Sequence, residues 1–232
     1  MHLNGQLLFK KYLQSEFFSG AKILELAPAL FPSYYEQEVN DPSIEWFGLD
    51  VRTGFIEDQS ANMRFVLSDH EFTYPFEDNY FDLIFSDQVI AHVRYPWVWL
   101  AELKRIVKPG GRIMTIGTAS WPPCPSPIDC WRIFPDGMKN LNDFVGLETQ
   151  FCICESAEYE YYQVPRSLEN VPNAINRNTG FGFTQQAEKV NRLKLSLNKW
   201  MQHVPYLRAL LNPVCMAYDT VTIAVKKQTE IN

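Results

Sequence analysis

The chain has 232 residues, enough for one full-sized core with a lobe inserted into it and too few for two large domains. Hydrophobic residues make up 46% and charged ones 21%, and the net charge of −6 excludes a general attraction for nucleic-acid phosphates or anionic lipid. No cationic leader with an apolar core is visible, no apolar run reaches membrane-spanning length, and five cysteines without a C-x-x-C pair suit reduced thiols; the expectation is a cytoplasmic protein with no integral membrane segment.

Within residues 6–18, Leu7, Leu8, Tyr12, Phe17 and Phe18 fall near one helical face, which predicts an N-terminal helix laid over a sheet or over the mouth of a ligand site. Ala21 to Ala27 is an apolar strand interrupted only by Glu25, as expected for a strand covered on both faces. Trp46 to Leu49 is a short second strand ending in Asp50, and Arg64 to Leu67 is a third, with Ser68 and Asp69 at its exit. Phe81 to Ser86 is a buried fourth strand. It leads through a polar loop into a helix from about Pro96 to Lys108, in which Leu100, Leu103, Ile106 and Val107 recur at helical spacing. Lys104, Arg105 and Lys108 suit the negative helix end, and Pro109-Gly110-Gly111 cannot extend it. Arg112 to Gly117 is the fifth strand. Strand, helix and strand with short links form a right-handed crossover, so the loop after Ser86 opens at the carboxyl end of the sheet, where open α/β folds bind ligands.

Residues 118–137 are a proline-rich excursion, stiff yet irregular and long enough to lie over a site. Pro135 opens a helix to about Phe144, Glu148 to Glu155 is a sixth strand, and Ala217 to Lys226 alternates and is β-branched, suiting the last strand. Cys152 and Cys154 share one face of the sixth strand, which reads as core thiols. The fold class is therefore α/β, a doubly wound, mostly parallel seven-stranded sheet built from residues 1–155 and 217–232. Residues 156–216 form a helical insertion before the last strand, with a helix from about Thr184 to His203. From Phe181 onward seven Lys or Arg face three acids, so this inserted cap reads either as a solvated face or as one turned to an anionic acceptor or a membrane surface, a peripheral contact.

Three runs occur in order: Tyr74-Pro75-Phe76-Glu77-Asp78-Asn79-Tyr80-Phe81-Asp82, then Ile90-Ala91-His92-Val93, then Leu103-Lys104-Arg105-Ile106-Val107-Lys108-Pro109-Gly110-Gly111. Their order and spacing resemble the class I S-adenosylmethionine-dependent methyltransferases, which carry "LPFPDNSFDLV…EHV…L.E..RVLKPGG". Asp129-Cys130-Trp131-Arg132-Ile133-Phe134-Pro135-Asp136-Gly137 is similar to a shorter "DYWRFTPDG" segment of the methyltransferases found in surface-glycan gene clusters. The resemblance implies a Rossmann-like methyltransferase fold, S-adenosyl-L-methionine as cofactor, and a small-molecule or glycan acceptor; the acidic net charge adds the expectation that no nucleic acid is involved.

On that resemblance the cofactor lies along the strand tips. The family's acid and Gly-x-Gly-x-Gly turn align with Glu25, Ala27, Ala29 and Phe31; the acid is kept and the three glycines are gone, though two alanines still leave a thin wall. Asp50, with Val51 beside it, stands where a carboxylate accepts bonds from ribose hydroxyls, or else caps its own loop. Asp69 and His70 match the adenine side, and Ser86 and Asp87 pass beneath the methionine part. His92 matches the histidine of the family's Glu-His-Val, and either accepts a proton from an attacking hydroxyl or holds its loop. In the proline-rich loop, Asp129 is a second candidate base, Trp131 offers a flat face of the kind sugar rings stack on, and Arg132 can grip an anion. The competing reading is a Trp-Arg pair pinning that loop to the domain.

Methyl transfer from a sulfonium needs alignment and exclusion of water more than it needs a triad or a metal, and no metal site is expected here. The lost glycines leave a second hypothesis, a catalytically silent relative acting as a binding or scaffold partner. A nicotinamide-dependent oxidoreductase is disfavoured, because the first turn lacks the glycines a pyrophosphate requires.

Overall fold

The computed structural model describes residues 3–51, 64–124, 128–161 and 217–228. Its centre is a seven-stranded sheet of order β3-β2-β1-β4-β5-β7-β6. The strands are β1 (Lys22–Leu26), β2 (Glu45–Val51), β3 (Phe65–Ser68), β4 (Phe81–Asp87), β5 (Val107–Ser120), β6 (Glu148–Glu155) and β7 (Tyr218–Val225). The first five run parallel, while β7 inserts antiparallel to both β5 and β6. This is the doubly wound Rossmann-like arrangement expected from the chain. The strand pattern follows from burial on both faces: Ile23, Leu83 and Phe85 pack on one side, Leu24 and Ile84 on the other.

One face is covered by α3 (Pro96–Ile106) and α4 (Pro135–Val145). Trp99, Leu100, Leu103 and Ile106 of α3 are all fully buried, each contributing about 1.5–3 kcal/mol of apolar burial. Pro96 pre-sets the first turn of α3, and the far end is capped from another strand: Lys226 Nζ donates to the carbonyls of Lys104 and Val107 at 2.7 and 2.9 Å. The opposite face is covered by an N-terminal helical run, α1 (Leu3–Leu8) continuing through a π turn (Phe9–Leu13) and a 3-10 turn (Gln14–Glu16), and by α2 (Tyr34–Val39). Leu8, Phe9, Leu13 and Tyr35 are buried there against Trp46 and Phe85. A last short helix, α5 (Glu158–Tyr161), follows β6.

Two expectations are corrected. The N-terminal helix begins at Leu3 rather than Gln6. The fifth strand begins at Val107, which pairs with Phe81, and the Pro-Gly-Gly segment lies inside its ladder: Gly110 at φ 79° bends the strand and donates its N–H to the Lys226 carbonyl. In α3, Trp99 is buried, while Trp97 is partly exposed and packs its ring against Tyr95 and Trp131. Cys152 and Cys154 sit half-buried opposite Thr222 and Thr220 of β7, and burial raises both thiols. The expected inserted cap, with its helix from about Thr184 to His203, lies outside the described residues apart from residues 156–161.

Candidate active site

The sheet order reverses direction between β1 and β4, so the crevice at the carboxyl end of the sheet opens between those strands. Leu26 at the tip of β1 stands beside Leu49 on one side and Ser86 on the other, which brings the exits of β2, β1 and β4 together. Two of these exits adopt a conformation that side chains avoid. Ala27 has φ 51° and donates its N–H to the Leu49 carbonyl at 2.7 Å; Gln88 has φ 63° and donates to the Ile116 carbonyl at 2.8 Å. Left-handed backbone costs a non-glycine residue about 1–2 kcal/mol, and such strain concentrates at functional sites. The turn after β1 thus keeps a glycine's shape without the glycine, leaving Ala27 and Ala29 exposed around a buried Pro28.

Phe31 takes the third glycine's place without crossing the strand tips. Its ring lies 5.6 Å from Phe65 and 5.5 Å from the Arg64 guanidinium, and a Cβ placed on Gly48 would sit 2.9 Å from it. Gly48 precedes Asp50 by two residues, so the ring packs on the flank of β2 below the crevice.

The acids divide into two kinds. Asp50 at the exit of β2 is half-buried, and among the described residues its carboxylate accepts one bond, from the Val51 N–H at 2.7 Å. Burial pushes its pKa up to about 6, an arrangement suited to a ligand that donates hydroxyl hydrogens. Glu25 instead points into the core. Its Oε2 accepts from the Ser33 hydroxyl and from Trp46 Nε1 at 2.9 Å, and burial pushes its pKa up to about 7. Ser33 is also the N-cap of α2, accepting the Glu36 N–H at 3.0 Å. Glu25 therefore anchors the first turn from within.

Ser86 is buried, and its Oγ has no hydrogen-bond partner among the described residues. Asp87 points to the α1 face, where Tyr35 Oη donates to Oδ2 at 2.6 Å, while the buried Oδ1 has no hydrogen-bond partner among the described residues; its pKa is pushed up to about 6 by burial. At the exit of β3, Ser68 Oγ accepts the His70 N–H and donates to the His70 carbonyl at 2.8 Å, a tight turn that leaves Asp69 and His70 exposed beside Asp50 and Val51.

His92 follows β4 in a 3-10 turn (Ile90–His92), and its Nδ1 bonds the Ile128 carbonyl. A carbonyl only accepts, so Nδ1 carries the hydrogen and Nε2 of the neutral ring is left as an acceptor. Asp129 and Arg132 form a bidentate pair at 2.5 and 2.8 Å. Asp129 also accepts the Cys124 N–H, and Arg132 donates to the Trp121, Pro122 and Trp131 carbonyls. The Arg132 guanidinium holds the Asp129 carboxyl below the usual range. Trp131 Nε1 donates to the Val93 carbonyl at 2.8 Å, and its ring meets Trp97 edge-on at 6.2 Å. These three side chains tie residues 121–124 and 128–132 to the exit of β4.

Sequence reasoning missed Asn4, Tyr35, Thr118 and Asp219, which meet beneath the same exit. The one visible signal was an acid within the β-branched run of β7. Among the described residues no group of three or more metal-ligating side chains is found, and no helix is long and apolar enough to cross a membrane.

Residues 29–115 match a family described as a methyltransferase domain. An uncharacterized methyltransferase of Schizosaccharomyces pombe is 49% identical over 39 residues, 17% of this chain and 14% of that protein. A ubiquinone/menaquinone biosynthesis C-methyltransferase of Cupriavidus taiwanensis is 36% identical over 58 residues, 25% of this chain and 24% of its own length. The chain thus spans less than a quarter of the length of these curated relatives. In fold, 97% of the chain superposes on 52% of Haemonchus contortus phosphoethanolamine N-methyltransferase 2, solved in complex with S-adenosyl-L-methionine, with a TM-score of 0.56 and 15% identity.

Proposed function

We propose that this chain is a cytoplasmic methyltransferase that uses S-adenosyl-L-methionine to methylate a small molecule, and that the acceptor group is a sugar or glycan hydroxyl or an amine. The observation that carries the reading is the turn at Ala27: a left-handed alanine holds the thin-walled loop open beside Asp50, at the reversal point of a fold shared with methyltransferases. The sequence match over residues 29–115 supports the same chemistry, and the four free cysteines among the described residues suit a reducing compartment.

The residues present fit the cofactor. Among the described residues Asp50 accepts only the Val51 N–H and has room for the donors of a ribose diol, Ala27 and Ala29 offer backbone without bulk, Val51, Asp69 and His70 border the adenine side, and Ser86 and Asp87 border the methionine end. Glu25 contributes by fixing the turn. When bound, S-adenosyl-L-methionine supplies an activated methyl group on a sulfonium. The protein's tasks are then to align the acceptor, exclude water and remove one proton. His92 is the candidate base, with Nε2 directed by the Nδ1–H bond to Ile128. Asp129, its pKa held low by Arg132, is a poor base; we assign Asp129 and Arg132 to shaping the loop, and the Trp131 face to the acceptor. Isothermal titration with S-adenosyl-L-methionine tests the reading. Micromolar binding that Asp50→Ala weakens at least tenfold is expected; no binding at millimolar cofactor would leave the silent scaffold.

A further inference from the structure

Beneath the exit of β4, one residue from the last strand bridges two distant parts of the chain. Asp219 is 1% exposed on β7, and its two carboxylate oxygens face different partners. Oδ1 accepts Gln88 Nε2 at 3.0 Å, and Oδ2 accepts Asn4 Nδ2 at 2.8 Å. Gln88 is the left-handed residue that ends β4, and its Oε1 accepts the Thr118 hydroxyl, so its side chain is gripped at both ends. Asn4 is fully buried in α1; its amide also donates to the Glu155 carbonyl and accepts the Ala157 N–H at 2.8 Å. A strained backbone persists only where its surroundings over-determine it, and Gln88 is held by β5 and β7 together.

A second contact joins α1 to the same place. Gly5 lies directly over Asp87: a Cβ added there would stand 2.7 Å from Oδ1, the oxygen without a hydrogen-bond partner among the described residues. Glycine weakens an ordinary helix relative to alanine, yet here it lets the helix backbone close over the carboxylate next to Gln88. Two independent features, a hydrogen-bonded relay and a missing side chain, therefore seat α1 against the β4 exit.

We infer that Asp219 is a positioning residue: through Gln88 it fixes the floor of the strand-tip crevice, and through Asn4 it docks the N-terminal helix beside that floor, so that crevice occupancy and helix seating are linked. The inference rests on the cofactor reading above for its ligand, but the seating of α1 is measurable without any ligand. Linkage is reciprocal, so whatever loosens α1 must weaken binding, and binding must tighten α1.

Hydrogen exchange of the amides of residues 3–13, read by mass spectrometry, is paired with calorimetric titration of S-adenosylhomocysteine. Asp219→Ala should speed exchange there at least tenfold and raise the Kd at least tenfold, and saturating ligand should restore most of the protection. Asp219→Asn, which keeps one acceptor and the shape, should fall between. Gly5→Val, which leaves the relay intact, should produce the same paired loss and guards against an Asp219→Ala protein that fails to fold. Wild-type exchange at residues 3–13 in Asp219→Ala or Gly5→Val overturns the inference, as does faster exchange with unchanged affinity. If the wild-type protein binds no S-adenosylhomocysteine, the function proposed above fails, and the exchange arm alone decides whether Asp219 seats α1.

Discussion

Glu25 aligns with the acid of a cofactor-binding motif, yet it lies in the core, 3% exposed, with its pKa moved from 4.5 to about 7 by burial. The folded chain then holds a proton that the unfolded chain releases near pH 4.5, so the native state binds more protons between those values and stability falls as pH rises through them. The contribution is fully present below about pH 4.5 and lost above about pH 7. At about 1.4 kcal/mol per pH unit, the interval amounts to about 3 kcal/mol. Glu25→Gln keeps an oxygen for the Ser33 and Trp46 donors and removes the titration. Urea unfolding followed by tryptophan fluorescence at pH 4.5 and pH 8 should show the variant gaining about 3 kcal/mol on the wild type between the two. In a chain of this size that is about 6–12 °C in melting temperature. A difference that stays within 0.5 kcal/mol across that pH range would refute the burial argument.

Ala27→Gly should leave the fold intact and stabilise it by about 1 kcal/mol or less, left-handed strain being relieved against glycine's backbone entropy, while Ala27→Val should cost about 1–3 kcal/mol; melting temperatures check both. Lys226→Ala leaves the Lys104 and Val107 carbonyls at the end of α3 without their donor and should cost about 1–3 kcal/mol by urea unfolding. Arg132→Lys loses the bidentate grip on Asp129, and limited proteolysis should cut residues 121–132 sooner with the unfolding midpoint nearly unchanged.

Strands β1 and β4 were legible because burial on both faces writes continuous apolar runs, and each stands within one residue of its expected bounds; β6, a half-buried edge strand, also stands at its expected bounds. The short helix α2 was overlooked, although Ser33 with Glu36 three residues on is the pattern of an N-terminal cap. Its apolar face is little more than Tyr35, too small to register as periodicity. Asp50 could be placed from its strand end alone. The relay of Asn4, Gln88 and Asp219 could not, since its members lie 84 to 215 residues apart and only the antiparallel insertion of β7 brings them together. Nor could the sequence reveal that Ala27 adopts a glycine's backbone, because an alanine there argues against the very turn it makes.

The account stands on the crevice formed by the exits of β1, β2 and β4. A crystal grown with S-adenosylhomocysteine tests it most directly: the ribose hydroxyls should lie within hydrogen-bond distance of Asp50, with the nucleoside over Ala27 and the sulfur turned toward His92. Density for the ligand away from those strand ends, or a crevice without it at millimolar ligand, would contradict the account.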